Sequence, residues 1–210
     1  MITEPSTLFT DYALATLCAA LAWRLRAAAL ATGQRAVRVW AFAFVATAFG
    51  SLAGGTYHGF QLMLPPRVAA AVWTLTTLAI GVAACLMLTA ALLATIGPRA
   101  RRWWLLIVWV QFAAYAAWML RHDAFVYVIV EYGLAMLCVL GLMLTGRARA
   151  GGAARWIAAG IGVSIAAALI QQSGFDLHRN LNHNDLQHLV QMVAVWLLYR
   201  GGIRLRDAPP

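Results

Sequence analysis

The sequence predicts an all-α fold, a polytopic seven-transmembrane-helix bundle with the N-terminus outside and the C-terminus cytoplasmic, and three observations carry the prediction. Of the 210 residues, 63% are apolar and only 11% charged, against roughly 25% charged in an ordinary soluble domain. The apolar residues gather into seven runs. A spanning helix takes about 20 of them, so seven spans use most of the chain and leave one transmembrane domain over 1–210 with no room for a soluble one. The third observation is the arrangement of the arginines, taken up below.

The first run extends from near Leu8 to about Leu30. Acidic Glu4 precedes it where a signal peptide would carry basic residues, so it is expected to stay as an anchor. The second runs from about Val37 to Tyr57, the third from Val68 to Ile96, the fourth from Trp103 to Leu120 and the fifth from Ala124 to Leu144. The sixth covers Trp156 to Ile170 and the seventh about Asp185 to Tyr199. Run length and the abundance of Ala and Leu predict helices, because barrel strands need alternating polarity over about ten residues. Gly33, Pro65–Pro66, Gly97–Pro98, Gly151–Gly152 and the polar stretch SGFDLHRNLNHND punctuate the runs.

Basic residues in short loops set orientation. Thirteen arginines fall on one side of the seven-span arrangement: Arg24, Arg26, Arg35 and Arg38, then Arg99, Arg101 and Arg102, then Arg147, Arg149 and Arg155, then Arg200, Arg204 and Arg206. Only Arg67, Arg121 and Arg179 fall on the other. The net charge of +9 therefore reads as membrane topology, with no nucleic-acid partner implied. A multi-pass protein of a plasma membrane, of the bacterial inner-membrane kind, is the expected setting. All 16 basic residues are arginine, which excludes a retinal Schiff base, since that linkage needs a lysine. Cys18, Cys85 and Cys138 each sit in an apolar run without paired spacing, as core residues do.

All five histidines map to the outer side, and imidazole is a common metal ligand. His122 and His178 suit an interfacial role. His58 ends span two within GTYHGF, and the glycines around it leave open space. NHNDLQHL packs His183, Asp185 and His188 into the start of span seven, with Asn184 the expected N-cap and Gln187 completing a capping box. His58, His183 and His188 supply the three protein ligands that a catalytic zinc site needs beside an open water position. His183 can join only by lying before the cap and bending back, because five residues turn about 140° around a helix. Asp185 could orient a ligand histidine or act on the bound water. Glu131, roughly 10 Å below the outer end of span five at 1.5 Å per residue, has no basic partner nearby and is a functional candidate by its depth. Gln111, Tyr115, Gln171, Gln172 and Gln191 could line the same interior or bond helix to helix.

A histidine near the outer end of span two and a paired-histidine segment opening span seven resemble the alkaline ceramidase and CREST superfamily of seven-span membrane hydrolases. The resemblance implies zinc held by His58, His183 and His188, and hydrolysis of a lipid amide or related bond. The family's serine, one turn before the first histidine, corresponds to Gly54 here, with Ser51 a turn further. The family's aspartate at the start of span three has no counterpart beside Arg67, and the span-seven spacing is HxxxxH. Two functions stay open. One is a zinc-dependent intramembrane hydrolase of a membrane lipid, with Asp185 or Glu131 moving the proton. The other is a non-hydrolytic metal- or haem-binding, receptor-like or transport protein using the same cavity.

Overall fold

The computed structural model describes residues 2–144, 152–178 and 181–209. Arg147, Arg149 and Arg179, three of the orienting arginines, lie outside the described residues. Seven helices are described: α1 (Pro5–Thr32), α2 (Arg35–Phe60), α3 (Pro66–Thr95), α4 (Pro98–Met119), α5 (Val126–Leu144), α6 (Ala153–Ser173) and α7 (His183–Gly202). Each apolar run of the sequence coincides with one of them. Five, α1, α2, α3, α5 and α6, are long and apolar enough to cross a membrane by length and composition. The other two carry their polarity at their starts, the arginines of PRARR in α4 and the HNDLQH segment of α7.

Proline and glycine set the boundaries. Pro5, Pro66 and Pro98 occupy the first turns of α1, α3 and α4, where the missing N–H would have had no helical partner. Gly33 closes α1 at φ 68°, its N–H bonded to the Ala29 carbonyl, a left-handed turn that only glycine takes at little cost.

The start of α7 corrects the sequence expectation. Asn182, and not Asn184, is the N-cap, accepting from the N–H groups of Asn184 and Asp185 at 2.9 and 3.1 Å. Asp185 closes the box by accepting the Asn182 N–H at 2.9 Å. An aspartate at the third helical position does what Gln187 was expected to do, so the helix opens at His183 and includes it in its first turn.

Helix neighbours define the architecture. α1 packs on α2, α2 on α3, α3 on α5, α5 on α6, α6 on α7 and α7 back on α1. Six helices thus close a ring, and α4 packs on α3 outside it. One end of the ring is filled by a core that includes Leu25, Trp40, Phe44, Met87, Met143, Ile157 and Leu198, all 2% exposed or less. That end carries most of the arginines. The opposite, histidine-bearing end encloses a cavity.

The carboxyl-terminal tail locks the packed end. Gln34 at the N-cap of α2 makes no side-chain cap. Asp207 supplies it from the other end of the chain, accepting the N–H groups of Arg35 and Ala36 at 2.9 and 2.7 Å. Ala208 donates to the Leu93 carbonyl at 2.8 Å, which ties the same tail to α3. Asp207→Ala is expected to cost about 1 kcal/mol, the usual value of an N-cap, read as a lower thermal midpoint in detergent. An unchanged midpoint would show the tail to be ornamental.

Candidate functional site

The cavity has a volume of about 590 Å³ and is walled by all six ring helices. Its depth is apolar, with Leu14, Ile80, Met136 and Ile161 among its walls. Polar groups gather toward one end: Asp11 from α1, Ser51 and His58 from α2, and Asn184, Gln187 and His188 from α7. Trp73 of α3 stands at the wall with its indole N–H donated to the Asp123 carbonyl at 2.8 Å, which fixes the ring. Across α6 and α7, Gln191 donates to Ser164 at 3.2 Å.

The centre of the polar end is the pair of Asp11 and His188. Asp11 is 5% and His188 9% exposed, and Nε2 of the ring lies 3.3 Å from Oδ1 of the carboxylate. The other ring nitrogen, Nδ1, is 3.0 Å from the Thr10 hydroxyl, which in turn lies 3.4 Å from Oδ1 of Asp185. Asp185 is fully buried. The four residues form one hydrogen-bonded chain, Asp185 to Thr10 to His188 to Asp11, running from behind α7 to the cavity wall. Asp185 accepts the Asn182 N–H at the start of α7. The Thr10 hydroxyl has the Thr7 carbonyl at 3.1 Å as its nearer acceptor and Asp185 at 3.4 Å as the farther one, so its lone pairs are left to face Nδ1 of His188 while Nε2 faces Asp11.

Helix geometry explains why α1 can present this set. Thr7, Thr10 and Asp11 recur at i, i+3 and i+4 and therefore share a face. Asn182 donates to the Thr7 hydroxyl at 3.4 Å, docking the α7 cap on that same face. On the α2 side, a Cβ on Gly55 would stand 2.8 Å from the Asp11 Cβ and from the Tyr12 ring, so α1 reaches this depth only beside a glycine. A Cβ on Gly54 would lie 3.5 Å from Asp11 Oδ2, so α2 passes directly beside the carboxylate there too.

The residues expected from the sequence separate into three groups. His58 and His188 both line the cavity. Nδ1 of His58 is 3.2 Å from Glu4 Oε2, so the residue expected to mark a retained anchor is a partner of the site. Asp185 belongs to the site but stands behind His188, away from the cavity wall. His183 does not join them. Its backbone N–H and Nδ1 both lie 2.9 Å from Asp176 Oδ1, and it is not part of the cavity wall. Bonds from His183 hold the exposed Asp176 carboxyl below its ordinary pKa. The physical reason is the early helix start: with His183 already in the first turn, five residues place it about 140° from His188, and it cannot bend back.

Glu131 also differs from expectation. It is 6% exposed, but Gln111 of α4 donates to it, and it lies outside the cavity wall. Its partner is the helix outside the ring. His122 stacks on Trp118 with ring centroids 3.8 Å apart.

The three-histidine zinc set therefore does not fit. Asp11 places a carboxylate beside His188. As arranged, however, no three His, Cys, Asp or Glu groups among the described residues stand close enough to hold a metal ion.

Sequence reasoning missed Asp11 and Thr10. The signal was present, since an ionisable residue three positions inside an apolar run is expensive unless it has work or a partner. Gly55→Ala is expected to destabilise the protein by roughly 1–3 kcal/mol, the scale of overpacking, because both contacts sit close to the α1 backbone. Gly133→Ala, with nothing within 4 Å of its Cβ, is the matched control and should melt as the parent does.

No curated protein and no solved structure matches the chain. One family does match, over residues 6–207, and the chain belongs to it: DUF6962, a family of unknown function.

Proposed function

We propose that the chain is a seven-span membrane protein, amino end outside, that takes an amphipathic, lipid-like molecule into its cavity and performs acid–base hydrolysis of an amide or ester at the molecule's polar end. The observation that carries this reading is the Asp11–His188 pair on the cavity wall. An apolar chamber with a few convergent polar groups at one end is the usual form of a site for such a ligand, and about 590 Å³ holds part of an acyl chain. Asp11 takes the proton of an attacking water on Oδ2 and hands it to the leaving group. His188 steadies the carboxylate through Oδ1 and shares its proton. Thr10 and Asp185 are positioning residues, acting through the His188 ring. His58, held by Glu4, faces the same end of the cavity and stabilises charge developing on the carbonyl oxygen. No step runs through zinc, because the histidines expected to hold it do not converge.

The membrane setting is supported by the five apolar helices and by large apolar side chains that do not line the cavity, including Phe9, Trp103, Val110 and Leu134, each at least 58% exposed. A soluble protein seldom exposes so many. The arginine split supports the orientation, and a reporter fused to the carboxyl terminus should be active only in the cytoplasm. Activity only outside would reverse it.

Hydrolysis is tested with the purified protein in detergent and a panel of long-chain amides and esters, read as release of fatty acid. Asp11→Asn and His188→Ala should each lower turnover by about 10²-fold or more, the scale of general acid–base catalysis. Glu131→Gln should keep turnover near the parent value. Turnover intact in Asp11→Asn would overturn the reading. Binding of the same lipids without release in any variant would favour the second function open from the sequence, a receptor-like or transport role, without hydrolysis.

A further inference from the structure

A second cavity, of about 410 Å³, opens between α1 and α2 at the packed, arginine-bearing end of the bundle. It shares no residue with the first. Arg26 of α1 and Arg38 of α2 stand on its walls, with Ala29, Leu30 and the Gly33–Gln34 turn between them along the chain. Further along both helices the floor is made of small residues such as Ala19, Ala22 and Ala48, flanked by exposed apolar side chains such as Phe42 and Val45. At 1.5 Å per residue the two arginines lie roughly 10 Å and 7 Å from the turn, about level with one another.

Neither guanidinium is neutralised by a described residue. Among the described residues, the ion pairs all belong to histidines, and no arginine has a carboxylate within 4.0 Å. The one carboxylate near this turn, Asp207, is committed to the backbone N–H groups of Arg35 and Ala36. Arg26 lies over the Trp23 ring, 5.7 Å from its centroid, and both side chains line the groove. Two arginines on the walls of one groove match the charge of a phosphate. The alanine floor leading away from them matches a hydrocarbon chain, so the groove has the polarity of a whole phospholipid and not of a free anion.

We propose that the α1–α2 groove binds one anionic phospholipid, its phosphate between Arg26 and Arg38 and an acyl chain on the alanine floor. The proposal rests on the membrane setting but not on the hydrolytic reading. It also gives the cytoplasmic-side arginines a use beyond orientation, since an anionic leaflet draws basic residues to its surface.

The test is native mass spectrometry of the full chain in detergent, titrated separately with phosphatidylglycerol, phosphatidylcholine and inorganic phosphate. Phosphatidylglycerol should add as one retained adduct, and the Arg26→Gln/Arg38→Gln double variant should bind it about tenfold more weakly, the loss of a charge-assisted pair. Arg101→Gln/Arg102→Gln, on α4, should bind like the parent. Ala19→Phe fills the floor at an exposed position without touching charge and should also weaken the adduct. Equal retention in the Arg26/Arg38 variant, or phosphatidylcholine bound as well as phosphatidylglycerol, would overturn the proposal. Inorganic phosphate competing fully with the lipid, together with an indifferent Ala19→Phe, would reduce the groove to an anion site and overturn it too. Hydrolysis measured on the same variants keeps the two readings separate, because a failed lipid site leaves the Asp11 and His188 results unchanged.

Discussion

Two carboxylates and an imidazole are buried together between α1 and α7, and the histidine end of the bundle is organised by that constraint. Each buried charge costs several kcal/mol unless it is paired and bonded. The chain from Asp185 through Thr10 and His188 to Asp11 meets the requirement with three contacts of 3.0 to 3.4 Å. It also fixes the geometry around it. α7 must start at Asn182 so that Asp185 falls at the third helical position, and α2 must carry glycine at 54 and 55 so that α1 can bring Asp11 alongside. Polar satisfaction, helix capping and close packing all support one arrangement, which is how a sequence selects one structure.

The two ends of the bundle divide the work. The arginine-bearing end is dense, closed by Trp40 and Phe44 and tied by the tail through Asp207. The histidine end is open inside. A packed end of this kind lets the cavity end tolerate unfilled space, and positioning groups on rigid helices holds them more precisely than loops would. α4 stands apart from this division. It packs on α3 outside the ring and meets Glu131 through Gln111, so the single carboxyl group of α5 serves helix association and not the cavity.

Most of the architecture was legible in the sequence. Seven apolar runs coincide with seven helices because a run of about 20 apolar residues has few other structures open to it. His58 and His188, expected as metal ligands, both line the cavity, and they stood out as polar side chains beside apolar runs. The rest depended on angles and partners that periodicity does not specify. Asn182 and Asn184 are both good caps, and a shift of two residues decides whether His183 faces the cavity or Asp176. Glu131 stands out by depth alone, but depth does not say which neighbour it meets. Asp11 was hidden by the apolar run that contains it, and only the three-dimensional meeting of α1 with α7 reveals its partner.

The central claim is that Asp11 and His188 act as one unit, and a double-mutant cycle tests it most directly. Thermal stability is measured in detergent for the parent, Asp11→Asn, His188→Gln and the double variant. The account predicts that the double variant loses less than the two single losses together, with a coupling of about 1 kcal/mol or more, as for residues sharing a buried bond. Losses that add within about 0.3 kcal/mol, the behaviour of independent sites, would contradict it.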